Sequence, residues 1–394
     1  MVQYMYDTIY VLYLQKNKEM SESELQVGKP VSGVEFVGRE KDIEQIINLL
    51  KSGQSVVLLA PRRFGKTSLI LKVLEHLNEN NFDTAYVDIF TTPDLKRFSE
   101  TFTSKIFENR KLGKIIRTAK KNIGELIRNV EFKSSIEDFE IVLKFGQADI
   151  SHWELTEESI EFAEIFAKKY NRKLIVGLDE FGDIEKLGGK ELSKLLRAKM
   201  QTQKNVTYIY SGSYESVMNQ MFTTSKSPFY RFARIITLGY INKDAFEKLY
   251  EQKLERASLQ ANPKLIKRIL DFTQGHPYYS SLFLQQWLLT GKGLDTSHEI
   301  AFIQLLDAIL DIENAYLEKL WEDVSTSYEQ RSLLIALTES RKPYTTLDIR
   351  RINVSRTISV LKNKGIVHKR KEGYCFTDPI FETWMRREVL KEDF

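Results

Sequence analysis

The sequence predicts an α/β fold: a parallel sheet with helices on both faces, then an all-helical segment, then a small C-terminal unit of helices and a hairpin. Three observations lead there. Short apolar runs at 54–60, 84–90, 173–181, 205–213 and 233–240 alternate with stretches at helical spacing, which is how strands joined by covering helices read. From about 243 to 324 the helical period continues with no strand-like run, broken by Gly275-His276-Pro277 and again at 290–299. After 325, three helix-length segments lead into two short runs around a charged turn at 365–378.

A chain of 394 residues is long enough for two or three compact units with sizeable cores. Hydrophobic residues at 42% and charged residues at 28% exclude a disordered or fibrous chain. The net charge of +4 argues for no partner, so its distribution matters more than its sum. Cys375 stands alone, which excludes an internal disulfide and agrees with a reducing cytoplasm. The first 20 residues have an apolar flavour but are interrupted by Asp7, lack a basic leading segment and are too short to span a bilayer. Residues 1–35 therefore read as a mobile leader, with Met20 as an alternative start.

Turn residues at 28–33 precede Ile43, Ile46, Ile47, Leu49 and Leu50, whose spacing predicts a first helix. A strand at 54–60, a helix at 66–80 and a strand at 84–90 make a β-α-β unit. Residues 92–150, lysine-rich helices and a peripheral strand at 139–145, read as an insertion. A helix at about 155–170 leads to the remaining strands. The domain boundaries expected are 36–241 for the sheet, 242–325 for the helical segment and 326–394 for the C-terminal unit.

Between the first strand and its helix lies APRRFGKTS, residues 60–68, which nearly matches G-x-x-x-x-G-K-[ST]. Such a loop aims backbone N–H groups at phosphates, backs them with a helix N-terminus and supplies a lysine. Gly65, Lys66 and Thr67 are the essential part, Lys66 for the β- and γ-phosphates and Thr67 for Mg²⁺. Ala60 replaces the first glycine, a substitution tolerated wherever φ is negative, and Pro61 removes one donor while stiffening the bend. The second motif is LIVGLDE, an apolar strand ending in Asp179 and Glu180. Alone it is a strand running into a turn. Beside the loop, Asp179 would hold Mg²⁺ and Glu180 would polarise a water molecule.

With these motifs in place the chain resembles the archaeal-type ATPases of the STAND group, relatives of the AAA+ ATPases within the P-loop NTPase class. FVGRE at 36–40, APRRFGKTSL at 60–69, GLDEF at 177–181, YSGS at 210–213, SPFYRFA at 227–233 and GHPYY at 275–279 carry the resemblance. It implies a P-loop NTPase sheet, a helical lid over 242–325, ATP with Mg²⁺ as ligands, and hydrolysis in the cytoplasm. It further implies that Val37, Gly38 and Arg39 lie near the adenine and that Pro61, Arg62, Arg63, Phe64, Gly65, Lys66, Thr67 and Ser68 wrap the phosphates. Ser211 or Ser213 would be the polar sensor and Arg231 or Arg234 the arginine facing the γ-phosphate. His276-Pro277 would bring the lid to the base. Plainer duties compete: the serines cap a helix, the arginines lie on the surface, and Gly275-Pro277 is an interhelical turn.

The C-terminal segments and hairpin together read as a winged helix-turn-helix. Residues 341–371 hold ten basic residues against the single acid Asp348, a balance of +9 in a chain whose total is +4. Such clustering suits duplex DNA, with Ser355, Arg356 and Ser359 on a recognition helix and Lys369, Arg370 and Lys371 in the wing. A solvated basic face or a protein-docking wing is the alternative. The sequence thus leads to an ATP-binding switch with slow ATPase activity, or to a DNA-binding, replication-initiator-like regulator with structural nucleotide, or to an interaction scaffold. Partners left open are DNA, a protein or a second copy.

Overall fold

The structure is a computed structural model that describes residues 25, 27–80, 82–108, 130–131, 144–145, 151–213, 215–295, 297–339, 352–370 and 373–392. The leader to residue 24, most of the insertion, the segment 340–351 with its helix-length run, and Lys371 lie outside the described residues. The chain divides into two compact units, one of Arg39–Arg62 with Lys66–Leu238, the other of Met1–Gly38, Arg63–Gly65 and Gly239–Phe394.

The first of these units is built on a five-stranded sheet. In chain order it contains helix α1 (Glu40–Lys51), strand β1 (Val56–Leu59), α2 (Lys66–Glu79), β2 (Asp83–Asp88), α3 (Leu95–Phe107), the short pair β3 (Val130–Glu131) and β4 (Lys144–Phe145), and α4 (His152–Lys169). Strand β5 (Leu174–Asp179), α5 (Ile184–Leu187), α6 (Gly189–Met200), β6 (Val206–Ser211), α7 (Glu215–Thr223) and β7 (Arg234–Thr237) complete it. The sheet order is β2-β5-β6-β1-β7 and every pairing in it is parallel. β1, β5 and β6 are buried along their whole length, as strands covered on both faces must be, whereas β2 alternates and β7 is largely exposed at the edge. Of the strand predicted at 139–145, only Lys144 and Phe145 lie among the described residues, in an antiparallel pair apart from the main sheet.

Gly177 determines how α2 meets this sheet. A Cβ there would stand 2.7 Å from Ile70 Cγ2 and 3.1 Å from Leu74 Cδ1, both on α2. The bare backbone lets the helix lie close against β5. The amino end of α2 is thereby brought to the carboxyl end of β5. Aromatic rings fill the core on one side of the sheet, with Phe181, Tyr210, Phe222 and Phe229 in mutual edge and tilted contact.

In the other unit, α8 (Lys243–Arg256), α9 (Pro263–Thr273), α10 (Pro277–Thr290) and α11 (His298–Val324) are followed by α12 (Tyr328–Thr338), α13 (Val354–Asn363), the hairpin β8 (Val367–Arg370) with β9 (Gly373–Phe376), and α14 (Pro379–Trp384). Local chemistry starts these helices. Asn242, Asn262, His276, Asn353 and Asp378 each accept a backbone N–H at an N-cap, and proline opens α9, α10 and α14. The last helix, α14, continues past Trp384 as a π-type turn at Met385–Val389. Trp384 is 4% exposed, a core residue. One apolar cluster runs from Leu25 through α8–α11 to Trp384 and Met385.

Candidate phosphate-binding site

The loop after β1 begins with Ala60, fully buried, and ends at Lys66, the first residue of α2. Gly65 has φ +78°, in the left-handed region that favours glycine, and the space where a Cβ would stand is open. Lys66 is only 6% exposed, and its Nζ donates to the carbonyls of Ala60 at 2.9 Å and Pro61 at 2.8 Å. An ammonium held against carbonyls of its own loop is within a short swing of whatever anion that loop receives.

Thr67 Oγ1 donates to Asp179 Oδ2 at 2.6 Å, joining the loop to the acidic strand end across 112 residues of chain. Asp179 is 2% exposed and its oxygens take three further donors: Tyr86 OH at 3.0 Å, Ser211 Oγ, and the Glu180 backbone N–H at 3.1 Å. A buried carboxylate needs such a set. Next to it Glu180 lies in the left-handed region, φ 51°, and its carboxylate accepts both the backbone N–H of Ser213, at 2.8 Å, and the Ser213 hydroxyl. Ser211 and Ser213 thus divide between the two acids, Ser211 on Asp179 and Ser213 on Glu180.

Asp88 stands opposite Asp179 in the β2–β5 register, and its carboxyl is pushed up by burial and further by Asp179, Glu180 and Asp183, against the pull of the Phe90 N–H. Burial and the Asp179 charge likewise push the Tyr86 phenol up. A surplus of negative charge collected beside a hydroxyl and a lysine is a setting that a divalent cation relieves. Among the described residues no group of three or more His, Cys, Asp or Glu could hold a metal by itself. Magnesium at a phosphate loop does not require one, because it takes one or two protein oxygens and completes its shell with phosphate and water. The donor set Thr67 and Asp179 fits that demand.

The structure does not bring Arg231 or Arg234 to this group. Arg234 pairs with Val56, at the amino end of the parallel sheet, while Asp179 and Ser211 end their strands at the carboxyl edge; Arg231 precedes it with φ 55° and its guanidinium over the Tyr230 ring. Arg39 is 5% exposed, immediately precedes α1 and donates to Asp42 at 3.1 Å. Pro61 is half-buried, Arg62 exposed and Ser68 buried at the start of α2.

Arg63, Phe64 and Gly65 fold with the C-terminal unit. Arg63 Nη1 donates to Glu313 Oε2 at 2.5 Å, and its guanidinium lies 4.2 Å from the Tyr278 ring centre and 4.1 Å from that of Tyr316. Phe64 is buried, its ring 4.7 Å from His276 and 5.3 Å from Tyr240. His276 Nδ1 accepts the Tyr279 N–H at 3.5 Å, and burial, aided by the Arg63 charge, pushes the imidazole down to about 3. It is a neutral cap, and Pro277 is the first residue of α10. Val37 is half-buried, and Gly38 packs against Ile241. Sequence reasoning missed Tyr86, Asp88, Tyr278, Tyr279, Glu313 and Asp378. The alternation of β2 carries a faint signal for Tyr86; for Glu313, inside a 27-residue helix, there is none.

On the basic segment Ser355, Arg356 and Ser359 are exposed along α13, and Lys369 and Arg370 are exposed on β8. No helix among the described residues is long and apolar enough to cross a membrane.

Residues 36–282 match a family described as an ATPase domain predominantly from Archaea, well over half of the chain. The chain belongs to this ATPase family. Membership makes it a nucleotide-binding ATPase of the P-loop class. Among solved structures, a Walker-type ATPase of Pyrococcus abyssi is similar at 18% identity and TM-score 0.62, covering 88% of this chain and 95% of that one. At that identity the likeness shows the fold. The ORC2 protein of Aeropyrum pernix, in ADPNP–ADP complexes, reaches TM-score 0.47 at 14% identity over 91% of this chain and 98% of its own. Cdc6p from Pyrobaculum aerophilum reaches 0.44 at 13%, over 93% and 98%. Likeness at those two scores is too loose to argue from. No curated protein gives a significant match.

Proposed function

We propose that this ATPase is a slow, cytoplasmic, nucleotide-dependent switch of the STAND group whose C-terminal residues 326–394 form a winged helix that contacts DNA. The observation that carries the nucleotide half is the Thr67–Asp179 hydrogen bond, since it unites the loop and the acidic strand end at one point. Lys66 exchanges the carbonyls of Ala60 and Pro61 for the β- and γ-phosphates, and the N–H groups of residues 62–66 line the rest. Thr67 and Asp179 hold Mg²⁺, which when bound neutralises phosphate charge. Glu180 orients the attacking water, and Ser213 keeps its carboxylate aimed. Arg234, which pairs with Val56 at the amino end of the sheet, and Arg231, whose guanidinium lies over the Tyr230 ring, take no part in this reading. In this reading the ATPase segment of the sequence is 36–241 with its insertion at 92–150, and 242–325 is the helical lid.

Support for DNA contact comes from the exposure of Arg356, Lys369 and Arg370 and from the balance of +9 over 341–371. A second reading, a regulator in which nucleotide is structural, draws on the double engagement of Glu180 by Ser213, which opposes its release to water. Phosphate release measured with and without duplex DNA separates the two. The switch requires measurable release that DNA changes and that Lys66→Ala abolishes. Full release by the Lys66→Ala protein overturns the assignment of the site, and salt-sensitive DNA binding with no release in either condition selects the structural reading.

A further inference from the structure

Arg63 and Phe64 are covalently part of the phosphate loop, next to Arg62 and close before Lys66, yet their side chains are held by residues far along the chain, Tyr240 and His276 for Phe64 and Tyr278, Glu313 and Tyr316 for Arg63. Arg63 keeps φ 66°, a conformation that costs a non-glycine residue about 1–2 kcal/mol. Its guanidinium is fixed on several sides, by Glu313, by the faces of Tyr278 and Tyr316, and by the Tyr279 hydroxyl at 3.5 Å. Tyr278 in turn donates to Glu313 Oε1 at 2.6 Å. A backbone strained in this way persists only where side-chain contacts over-determine it.

Three routes lead from this anchorage to one segment. Tyr279 OH, which accepts from Arg63, donates to Asp378 Oδ2 at 2.5 Å, and Asp378 Oδ1 accepts the N–H groups of Ile380 and Phe381 at the start of α14. Phe64 lies against Tyr240, whose hydroxyl donates to the Thr377 carbonyl at 3.0 Å. Glu313 is followed on α11 by Asn314, whose Oδ1 accepts from Trp384 Nε1 at 2.7 Å, at the end of α14. Two loop residues are therefore tied to residues 377–384.

We propose that Arg63 and Phe64 transmit occupation of the phosphate loop to residues 377–390, with Tyr279 and Asp378 as positioning residues. This rests on the reading of the loop as a nucleotide site. A phosphate that draws Lys66 from the Ala60 and Pro61 carbonyls and recruits the N–H groups of the loop turns the peptide planes on either side of Arg63. The buried anchors pass that turn to the cap of α14. The ligand shifts this equilibrium only as far as it prefers one loop conformation to the other.

The test is amide hydrogen exchange of the full chain, with ADP and with ATP·Mg²⁺, in the wild type, in Tyr279→Phe and in Glu313→Gln, with nucleotide affinity measured by calorimetry on the same samples. In the wild type, saturating nucleotide changes exchange across 377–390 by at least about threefold. Tyr279→Phe binds nucleotide within about threefold of wild type, because it leaves the loop intact, and loses that response. Glu313→Gln loses it as well, so a folding defect in one variant does not decide the matter. A wild type that binds nucleotide with no change across 377–390, or an undiminished response in both variants, overturns the proposal. Absence of binding in the wild type instead removes the nucleotide reading itself, and the coupling with it.

Discussion

The two units of the chain solve the same problem, giving partners to a charged group that folding has partly or wholly buried, by opposite means. In the sheet unit Asp179 is satisfied by groups close to strand ends: Thr67 at a helix start, Tyr86 and Ser211 on neighbouring strands, and its own successor in the chain. In the other unit Arg63 and Asp378 are satisfied by side chains from helices distant in sequence, through tyrosine rings and hydroxyls. The first arrangement follows from sheet topology, because parallel strands deliver their carboxyl ends to one edge. The second depends on side-chain length and register in helices whose period does not say what lies opposite. Chemistry carried by topology can be read in advance; chemistry carried by packing is found only after folding.

The largest expected effect sharpens the first half of this contrast. Glu180→Gln retains the hydrogen bond from the Ser213 N–H, so nucleotide binding survives while phosphate release falls by about 10²–10⁴-fold, the usual worth of a positioned base. Unchanged release would take Glu180 out of the chemistry and leave Asp179 alone there.

Next comes the seat of α2 on β5. Gly177→Ala forces a methyl into space already held by Ile70 and Leu74, at a cost of about 1–3 kcal/mol. Because α2 carries Thr67, nucleotide affinity falls together with stability. Calorimetry and urea unfolding on the same variant check the pairing. Loss of stability with affinity intact would show that the Thr67–Asp179 bond does not depend on this close approach.

The last effect belongs to the C-terminal unit and lies in its response to pH. Burial, with the Arg63 charge, pushes His276 down to about 3, so as pH falls below 6.5 the unfolded chain takes up a proton that the folded one refuses, and stability is lost at up to about 1.4 kcal/mol per pH unit. Burial pushes Asp378 up to about 6 against the pull of Tyr279, Arg63 and two backbone N–H groups, so between pH 6 and 3.8 the folded chain binds a proton first and stability is gained at a similar rate. From about pH 6 to 4 the two slopes oppose each other. His276→Asn, which can still cap α10, leaves the Asp378 slope unopposed, and its stability rises relative to wild type as pH falls through that window. Urea unfolding followed by fluorescence in a Trp153→Phe background reads this unit, since Trp287, Trp321 and Trp384 all lie in it. Parallel pH profiles for wild type and variant would break the comparison.

The legibility of the chain followed the same division. The strands at 56–59, 174–179, 206–211 and 234–237 fell inside the apolar runs, 83–88 overlapped the run at 84–90 but began one residue before it, and the helices of 243–324 fell where the period continued, because burial on both faces or on one stripe leaves a local trace. Thr67 and Asp179 were legible as partners since each sits at an element end that a parallel sheet delivers to one edge. Arg63 was placed at the phosphates by resemblance, and nothing near residue 313 announces the carboxylate that its side chain meets. Arg234 was placed by resemblance, which carries no register, and the pairing with Val56 is what sets it at the amino edge.

Arg234 also opens the strand at the lateral edge of the sheet. β7 is four residues long and exposed at three of them, Arg234, Ile235 and Thr237, and among the described residues no strand pairs with its outer side. An open border of backbone donors and acceptors invites another chain to add itself, and shortness with a cation at the entrance discourages the addition. The Arg234 guanidinium, at the first residue of that strand, is a charge of the kind that discourages such addition.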